Sequence, residues 1–189
     1  MKKTLTVAAS GLVFASLIPF MVAWAAVPEL LSSGPIGNAT GPASPAPPTE
    51  SGPVPKGIPT DMLALYRAAA ADCAGLPWTV LAAIGTVESD NGQSDLPGVH
   101  SGANEAGAEG PMQFEPATFA MYDQPVPPGG LDPPSPYDPV DAVFAATRLL
   151  CADGGGTPSS LGQAVFDYNH SGAYVAQVLA VARSYGYGG

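Results

Sequence analysis

The chain has 189 residues, enough for one modest domain with extensions. Charged residues make up only 12% of it, Gly and Pro number 23 and 22, and the formal net charge is −10. This acidic balance argues against nucleic-acid binding, because a protein that binds phosphates needs a basic patch. It also argues against capture by anionic membranes or polymers through charge alone.

The first 27 residues have the pattern of an export signal. A basic start with Lys2 and Lys3 precedes an almost wholly apolar run over 4–27, and Ala23-Trp24-Ala25 fits a small-x-small cleavage site. The run is also long enough to span a bilayer as an anchor. In either case the remainder lies outside the cytoplasm, because the positive end stays inside. We therefore expect a secreted or extracytoplasmic protein, with residues 4–27 either removed or kept in the membrane.

Residues 28–57 are rich in Pro, Gly and Ser and have no hydrophobic period. This composition predicts an extended linker that contributes nothing to a core. Residues 58–189 are expected to form the folded domain. No segment there alternates convincingly at period two, whereas apolar residues recur at helical spacing, so the domain is predicted to be all-α. Helices are expected at about 60–73, 77–89, 116–122, 139–151, 160–168 and 173–185, the fourth capped by Asp138.

The chain has two cysteines, Cys73 and Cys151. An even number in an exported chain favours a disulfide, which would close a loop of about eighty residues. The same pair in a cytosolic protein would more often be reduced core residues. Two thiols and two scattered histidines do not make a recognisable zinc spacing.

Glu88 is the most informative single residue. It follows Ile84 by four residues and Leu81 by seven, so it shares the apolar face of the predicted second helix. Burial and the negative end of the helix dipole both disfavour ionisation, which predicts a raised pKa for this carboxyl. A raised pKa suits a general acid at neutral pH. The alternative is a solvated glutamate at a frayed helix end.

Three motifs in order carry a resemblance to a known family. They are Glu88-Ser89, the glycine-rich stretch 107–119 with Gly-Pro-Met-Gln-Phe at 110–114, and the Tyr-Asn-His-Ser sequence at 168–171. Together they resemble the motifs of the lytic transglycosylases, lysozyme-like enzymes that cut peptidoglycan glycan strands. The resemblance covers about 58–185 and is nearest to the secreted single-domain enzymes of high-GC Gram-positive bacteria. It implies a lysozyme-like helical domain with a substrate cleft.

The resemblance also implies roles for individual residues. Glu88 would be the catalytic acid and base, and substrate would be bound by Ser89, Met112, Gln113, Tyr168 and Asn169. Gly107 and Gly110 would let the backbone approach a sugar. The alternatives are core packing for Met112, a half-buried helix position for Tyr168 and a turn cap for Asn169. His170 is expected to be structural. Some aromatic residues are candidate stacking platforms for sugar rings, although helical spacing makes core packing the default for each of them: Trp78, Phe119, Tyr122, Tyr137 and Tyr174.

The expected mechanism follows from the number of carboxylates. Ordinary glycosidases place two carboxyl groups across the scissile bond, but here only Glu88 has a motif around it. The resemblance implies that the muramyl N-acetyl group of the substrate assists, and that 1,6-anhydro-muramyl ends form without water. One alternative is a hydrolytic muramidase, with a second carboxylate among Asp90, Asp95, Glu105 and Glu109. Another is a catalytically silent domain for wall binding or secretion assembly.

No metal or other cofactor is expected. Some members of the family have an Asp-rich calcium loop before the segment that matches 137–142. Here residues 127–134 offer only Asp132 as an oxygen ligand, whereas calcium takes six to eight oxygens. The expected partner is the peptidoglycan glycan strand, and the acidic composition favours a monomer.

Overall fold

A computed structural model of the chain describes residues 55–189. The helices in this range are α1 (Thr60–Ala70), α2 (Trp78–Ser89), α3 (Pro116–Tyr122), α4 (Pro139–Ala152), α5 (Leu161–Asn169) and α6 (Gly172–Ser184). The range contains no strand, only an isolated bridge between Glu109 and Phe114. The predicted all-α class is therefore confirmed for the described residues. The predicted helix ends are correct to within about three residues, the usual uncertainty of helix boundaries.

The predicted export or anchor segment, 1–27, lies outside the described residues, as does nearly all of the predicted linker. Within the range 55–189, no helix is long and apolar enough to cross a membrane. The division of the chain into three parts stays a prediction.

Helix α2 lies at the centre of the domain. Its residues from Val80 to Ile84 are fully buried, and it packs against α1, α4 and α6. A helix that is apolar on all sides needs neighbours on all sides. Apart from Thr79 near its start, its polar side chains lie in the last turn, and Glu88 is one of them.

A glycine allows α1 to approach α2 closely. A β-carbon on Gly85 would lie 2.0 Å from the hydroxyl oxygen of Tyr66. Tyr66 is fully buried, and its hydroxyl donates to Asn91 Oδ1 across 3.1 Å. The buried hydroxyl therefore has the partner that such a group requires.

The helix ends follow the local sequence. The Asp138 carboxylate accepts hydrogen bonds from the backbone N–H groups of Val140 and Asp141, which confirms the predicted cap of α4. Helix α1 ends at Ala70, earlier than the predicted end near Cys73. The backbone N–H of Cys73 bonds to the carbonyl of Ala70, a three-residue spacing that converts the last turn into tighter turns.

A disulfide joins the turn after α1 to the last turn of α4. Cys73 and Cys151 are bonded, with 5.7 Å between their Cα atoms, and lie 78 positions apart in the chain. The predicted bond is confirmed, and no cysteine is left free. In the chain-entropy model, a link of this span stabilises the fold by about 4 kcal/mol.

The proline-rich loop 123–138 is fixed by a buried carboxylate on α4. Asp141 is 1% exposed, and its Oδ2 accepts from the N–H groups of Leu131, at 3.2 Å, and Ser135, at 2.9 Å. The Arg148 guanidinium donates to the carbonyl of Pro125 at the start of the loop. This irregular segment is thus tied to α4 at both ends.

Candidate active site

A cleft of about 370 Å³ opens beside the C-terminal turn of α2. The residues that line it come from that turn, from the loop and hairpin between α2 and α3, from α3 and α4, and from the last turn of α5. They are Glu88, Asn104, Ala106, Ala108, Gln113, Phe114, Glu115, Thr118, Leu149, Asp167, Tyr168, Asn169 and His170. All three motifs found in the sequence therefore contribute residues to one cleft.

Glu88 is half-buried at this cleft. Burial raises the pKa of its carboxyl from the ordinary 4.5 to about 7, and a hydrogen bond from Tyr174 opposes part of that rise. The predicted direction is confirmed. A carboxyl with a pKa near neutrality can give a proton in one step and take one back in the next.

Tyr174 is the hydrogen-bond partner of Glu88. Its hydroxyl donates to Glu88 Oε1 across 2.5 Å. Burial and the charge of Glu88 both raise the pKa of Tyr174, so the phenol remains a donor. From sequence, core packing is the default expectation for this residue. A sequence signal did exist, because a tyrosine at a buried helix position must find a partner for its hydroxyl.

Tyr168 lines the cleft but points its hydroxyl elsewhere. The hydroxyl donates to the backbone carbonyl of Met112 across 2.8 Å. Its ring stacks on Tyr174, with centroids 6.4 Å apart and planes 2° apart. The tyrosine that donates to the Glu88 carboxylate is thus Tyr174 and not Tyr168.

Ser89 and Met112 lie behind the cleft and do not line it. The Ser89 hydroxyl donates to the carbonyl of Pro111 at 2.6 Å and accepts from the N–H of Gly92 at 2.7 Å. Met112 is fully buried. The structure places both side chains in a supporting position, whereas the resemblance implied direct substrate contact. They fix the hairpin 109–114 against the end of α2.

Gln113 lies on the cleft with its amide already oriented. Its backbone is left-handed, with φ of 49°. Its Oε1 accepts from Asn104 Nδ2 at 2.9 Å, and its Nε2 donates to the carbonyl of Gly110 at 2.8 Å. Asn104 itself accepts from the N–H groups of Ala106 and Ala108, which folds the loop beside the cleft. Asn104 was not found from the sequence, because a loop asparagine outside the motifs gives no distinguishing signal.

Gly110 is required by a neighbouring loop. It has a φ of +77°, and a β-carbon there would lie 1.7 Å from the carbonyl oxygen of Pro136. The close neighbour of Gly110 is therefore the chain itself, and approach of its backbone to a sugar stays a prediction. Gly107, with φ of +86°, has open space around it.

Asn169 and His170 end α5 at the cleft. Asn169 is exposed there, as a substrate-binding residue would be. His170 has a left-handed backbone, with φ of 56°, and also lines the cleft. His170 thus ends α5, which is a structural role, and it also lines the cleft.

The four loop carboxylates considered for hydrolysis, Asp90, Asp95, Glu105 and Glu109, do not line the cleft. Besides Glu88, the carboxylates that line it are those of Glu115 and Asp167. The candidates predicted from sequence lie near Glu88 in the chain, whereas the fold brings Asp167 to the cleft from α5 and Glu115 from the position before α3.

A scan against protein-family models finds no matching family, and searches among curated proteins and solved structures find no match. Within residues 55–189, no group of three or more His, Cys, Asp or Glu side chains is arranged to hold a metal ion. What the site can do chemically follows from Glu88, its surroundings and the three motifs that meet at the cleft.

Proposed function

We propose that residues 58–189 form a lytic transglycosylase domain with a lysozyme-like fold. It cleaves the bond between N-acetylmuramic acid and N-acetylglucosamine in peptidoglycan and leaves 1,6-anhydro-muramyl ends. One observation carries this proposal: the half-buried carboxyl of Glu88 lines the cleft, with its pKa raised to about 7. The presence of Gln113, Tyr168 and Asn169 on the same cleft supports it.

The proposed reaction uses Glu88 twice. The protonated carboxyl gives its proton to the glycosidic oxygen as the bond to C1 of the muramyl residue breaks. The substrate N-acetyl oxygen stabilises C1, and the Glu88 carboxylate then takes the proton of the C6 hydroxyl as O6 attacks C1. No water is consumed, and the carboxyl returns to its protonated form. A pKa close to the working pH serves both steps.

Gln113, Tyr168 and Asn169 would position the sugar. The fixed amide of Gln113 retains hydrogen-bonding capacity at both ends, because an amide oxygen accepts two bonds and an amide nitrogen donates two. Asn169 offers a free amide at the open side. The apolar faces of Phe114 and Leu149 provide contact area for a sugar ring.

Hydrolysis is the second candidate function, and one observation favours it. Glu115 and Asp167 line the same cleft as Glu88, so a second carboxylate is available to activate water. A muramidase of this kind would leave reducing muramyl ends.

Export and the choice of substrate belong to the same proposal. A disulfide between Cys73 and Cys151 is typical of proteins in an oxidising compartment. We propose an extracytoplasmic location, with peptidoglycan glycan strands as the partner, and a monomer remains the expectation.

The test is mass spectrometry of the products after the chain digests purified peptidoglycan. We expect anhydro-muramyl ends, while reducing ends would establish the hydrolytic alternative. Binding of wall fragments without any cleavage would contradict both and leave the silent wall-binding domain.

Two variants sharpen this test. Glu88→Gln should abolish cleavage and keep the helical circular dichroism of the parent. Asp72→Asn removes an exposed carboxylate in the turn after α1, a segment that contributes no residue to the cleft, and should keep full activity. Turnover by Glu88→Gln would remove Glu88 from the mechanism.

A further inference from the structure

We propose that Tyr174 is a positioning residue that anchors Glu88 Oε1 and thereby reserves Oε2 for proton exchange with the substrate. This inference rests on the proposed function for its catalytic meaning. The hydrogen bond itself is a feature of the fold, whatever reaction the cleft supports.

The two oxygens of Glu88 have different surroundings. Oε1 accepts the hydroxyl of Tyr174 across 2.5 Å. Among the described residues, Oε2 has no hydrogen-bond partner, and it is not one of their buried unpartnered side-chain atoms, which are Arg67 Nε and Asp141 Oδ1. Oε2 therefore has accessible surface on a residue that lines the cleft, and no hydrogen bond from the described residues occupies it.

The position of Tyr174 is fixed from two directions. Ser171 caps α6 and accepts the backbone N–H of Tyr174 at 3.3 Å, which sets the first turn of the helix. The ring lies parallel to that of Tyr168, so the side chain cannot swing without breaking the stack. Because the Tyr174 hydroxyl is already in place, it need not move when the Glu88 carboxyl gains or loses its proton.

Other titratable side chains surround the carboxyl but do not bond to it. Tyr168 on α5 donates to Met112, and Tyr66 on α1 donates to Asn91. Glu115, Asp167 and His170 line the cleft. Of these groups and Tyr174, the hydroxyl of Tyr174 is the one that donates to Glu88.

The anchor has two consequences for the reaction. Rotation about the last torsion of a glutamate is soft, so an unanchored carboxyl would present either oxygen to the glycosidic bond in changing directions. A donor to the ionised form also favours ionisation, so Tyr174 counteracts the effect of burial on the pKa of Glu88. It therefore contributes both to the direction of proton transfer and to its pH range.

The decisive variant is Tyr174→Phe, which keeps the stacked ring and removes only the hydroxyl. The matched control is Tyr185→Phe, which removes a hydroxyl that lies 3.0 Å from Thr86 Oγ1 on α2, away from the cleft. The pKa of Glu88 is measured by NMR of carboxyl-labelled glutamate, with the signal assigned by Glu88→Gln. The pH profiles of kcat and KM are measured on peptidoglycan.

In Tyr174→Phe, we expect a higher pKa for Glu88 and an alkaline limb of the rate profile displaced to higher pH, because the general acid then keeps its proton longer. At the plateau, kcat should fall by on the order of tenfold to a hundredfold from lost orientation, with KM little changed. Tyr185→Phe should leave the pKa of Glu88 and the rate unchanged.

An unchanged pKa of Glu88 in Tyr174→Phe would overturn the proposal that the hydroxyl of Tyr174 anchors Glu88 Oε1. A displaced pKa with an unchanged plateau kcat would overturn the positioning role. If the variant fails to fold, the chemical shift of Tyr174 Cζ is followed against pH in the unmodified chain. It should change with the same midpoint as the Glu88 carboxyl. A chemical shift that does not change with pH would overturn the proposal. The NMR titration is valid even if the chain cleaves no glycan, so failure of the proposed function remains distinguishable.

Discussion

The hydroxyl of Tyr168 donates to the backbone carbonyl of Met112 across 2.8 Å, and the two residues are 56 positions apart in the chain. This bond joins the last turn of α5 to the hairpin 109–114. The ring of Tyr168 also lies 5.9 Å from that of Phe114, centroid to centroid. The second and third motifs are thus attached to each other directly, and the cleft lies where they meet α2.

Replacing Tyr168 by Phe should lower the free energy of unfolding by about 1 kcal/mol or somewhat more, because the carbonyl of buried Met112 is left without its partner. Urea denaturation measures this. Tyr122→Phe is the control, since its ring packs against the core without a side-chain hydrogen bond among the described residues. Equal losses in the two variants would show that the Tyr168 bond contributes nothing particular.

The stability of the domain should depend on pH through Glu88. The folded pKa of about 7 exceeds the ordinary 4.5, so the protonated carboxyl is the form that the fold prefers. This contribution is complete below about pH 4.5 and is lost as pH rises through 7. Relative to Glu88→Gln, the parent should lose on the order of 3 kcal/mol between about pH 4 and pH 8, because a pKa difference of about 2.5 units, at about 1.36 kcal/mol per unit, is then almost fully expressed. Parallel stability curves for the two proteins would contradict the raised pKa.

Gly85→Ala should destabilise the domain by about 1–3 kcal/mol, because the new methyl group would collide with the buried Tyr66 hydroxyl. Gly162→Ala is the matched control within a helix. A β-carbon there meets nothing within 4 Å, so the higher helix propensity of Ala should leave stability unchanged or raise it. Thermal denaturation of both variants measures the difference in stability between them. Equal stabilities would show that α1 can move away from α2 at little cost in free energy.

Reduction of the disulfide should lower the free energy of unfolding by about 4 kcal/mol in the chain-entropy model. Urea denaturation with and without reductant measures this. A double variant, Cys73→Ala with Cys151→Ala, should be insensitive to reductant. A parent protein that shows the same stability in both conditions would indicate that α1 and α4 are joined sufficiently by packing.

The parts of the fold that sequence analysis predicted correctly are those set by local chemistry. Apolar spacing located the helices, the Asp138 carboxylate marked the start of α4, and the even number of cysteines indicated the bond between Cys73 and Cys151. The raised pKa of Glu88 was also predictable, because its helical phase relative to Ile84 placed it against the core.

The parts that could not be predicted depend on contacts between distant segments. Nothing near Tyr174 in the sequence shows that its hydroxyl meets a carboxylate on another helix, 86 positions away. Ser89 and Met112 belong to the motifs, but a motif does not show which of its side chains face inwards. The glycine at 110 was expected to serve a ligand, whereas the chain near Pro136 is what approaches it.

The carboxylate of Asp141 has a consequence for how freely the loop 123–138 can change in length. Irregular loops usually tolerate insertions. Here Asp141 holds the loop at Leu131 and Ser135, and the next residue, Pro136, lies against Gly110. An added or deleted residue would displace the hairpin that carries Gln113. The position of Gln113 at the cleft thus depends on the number of residues in this loop, and the loop acts as a spacer of fixed length.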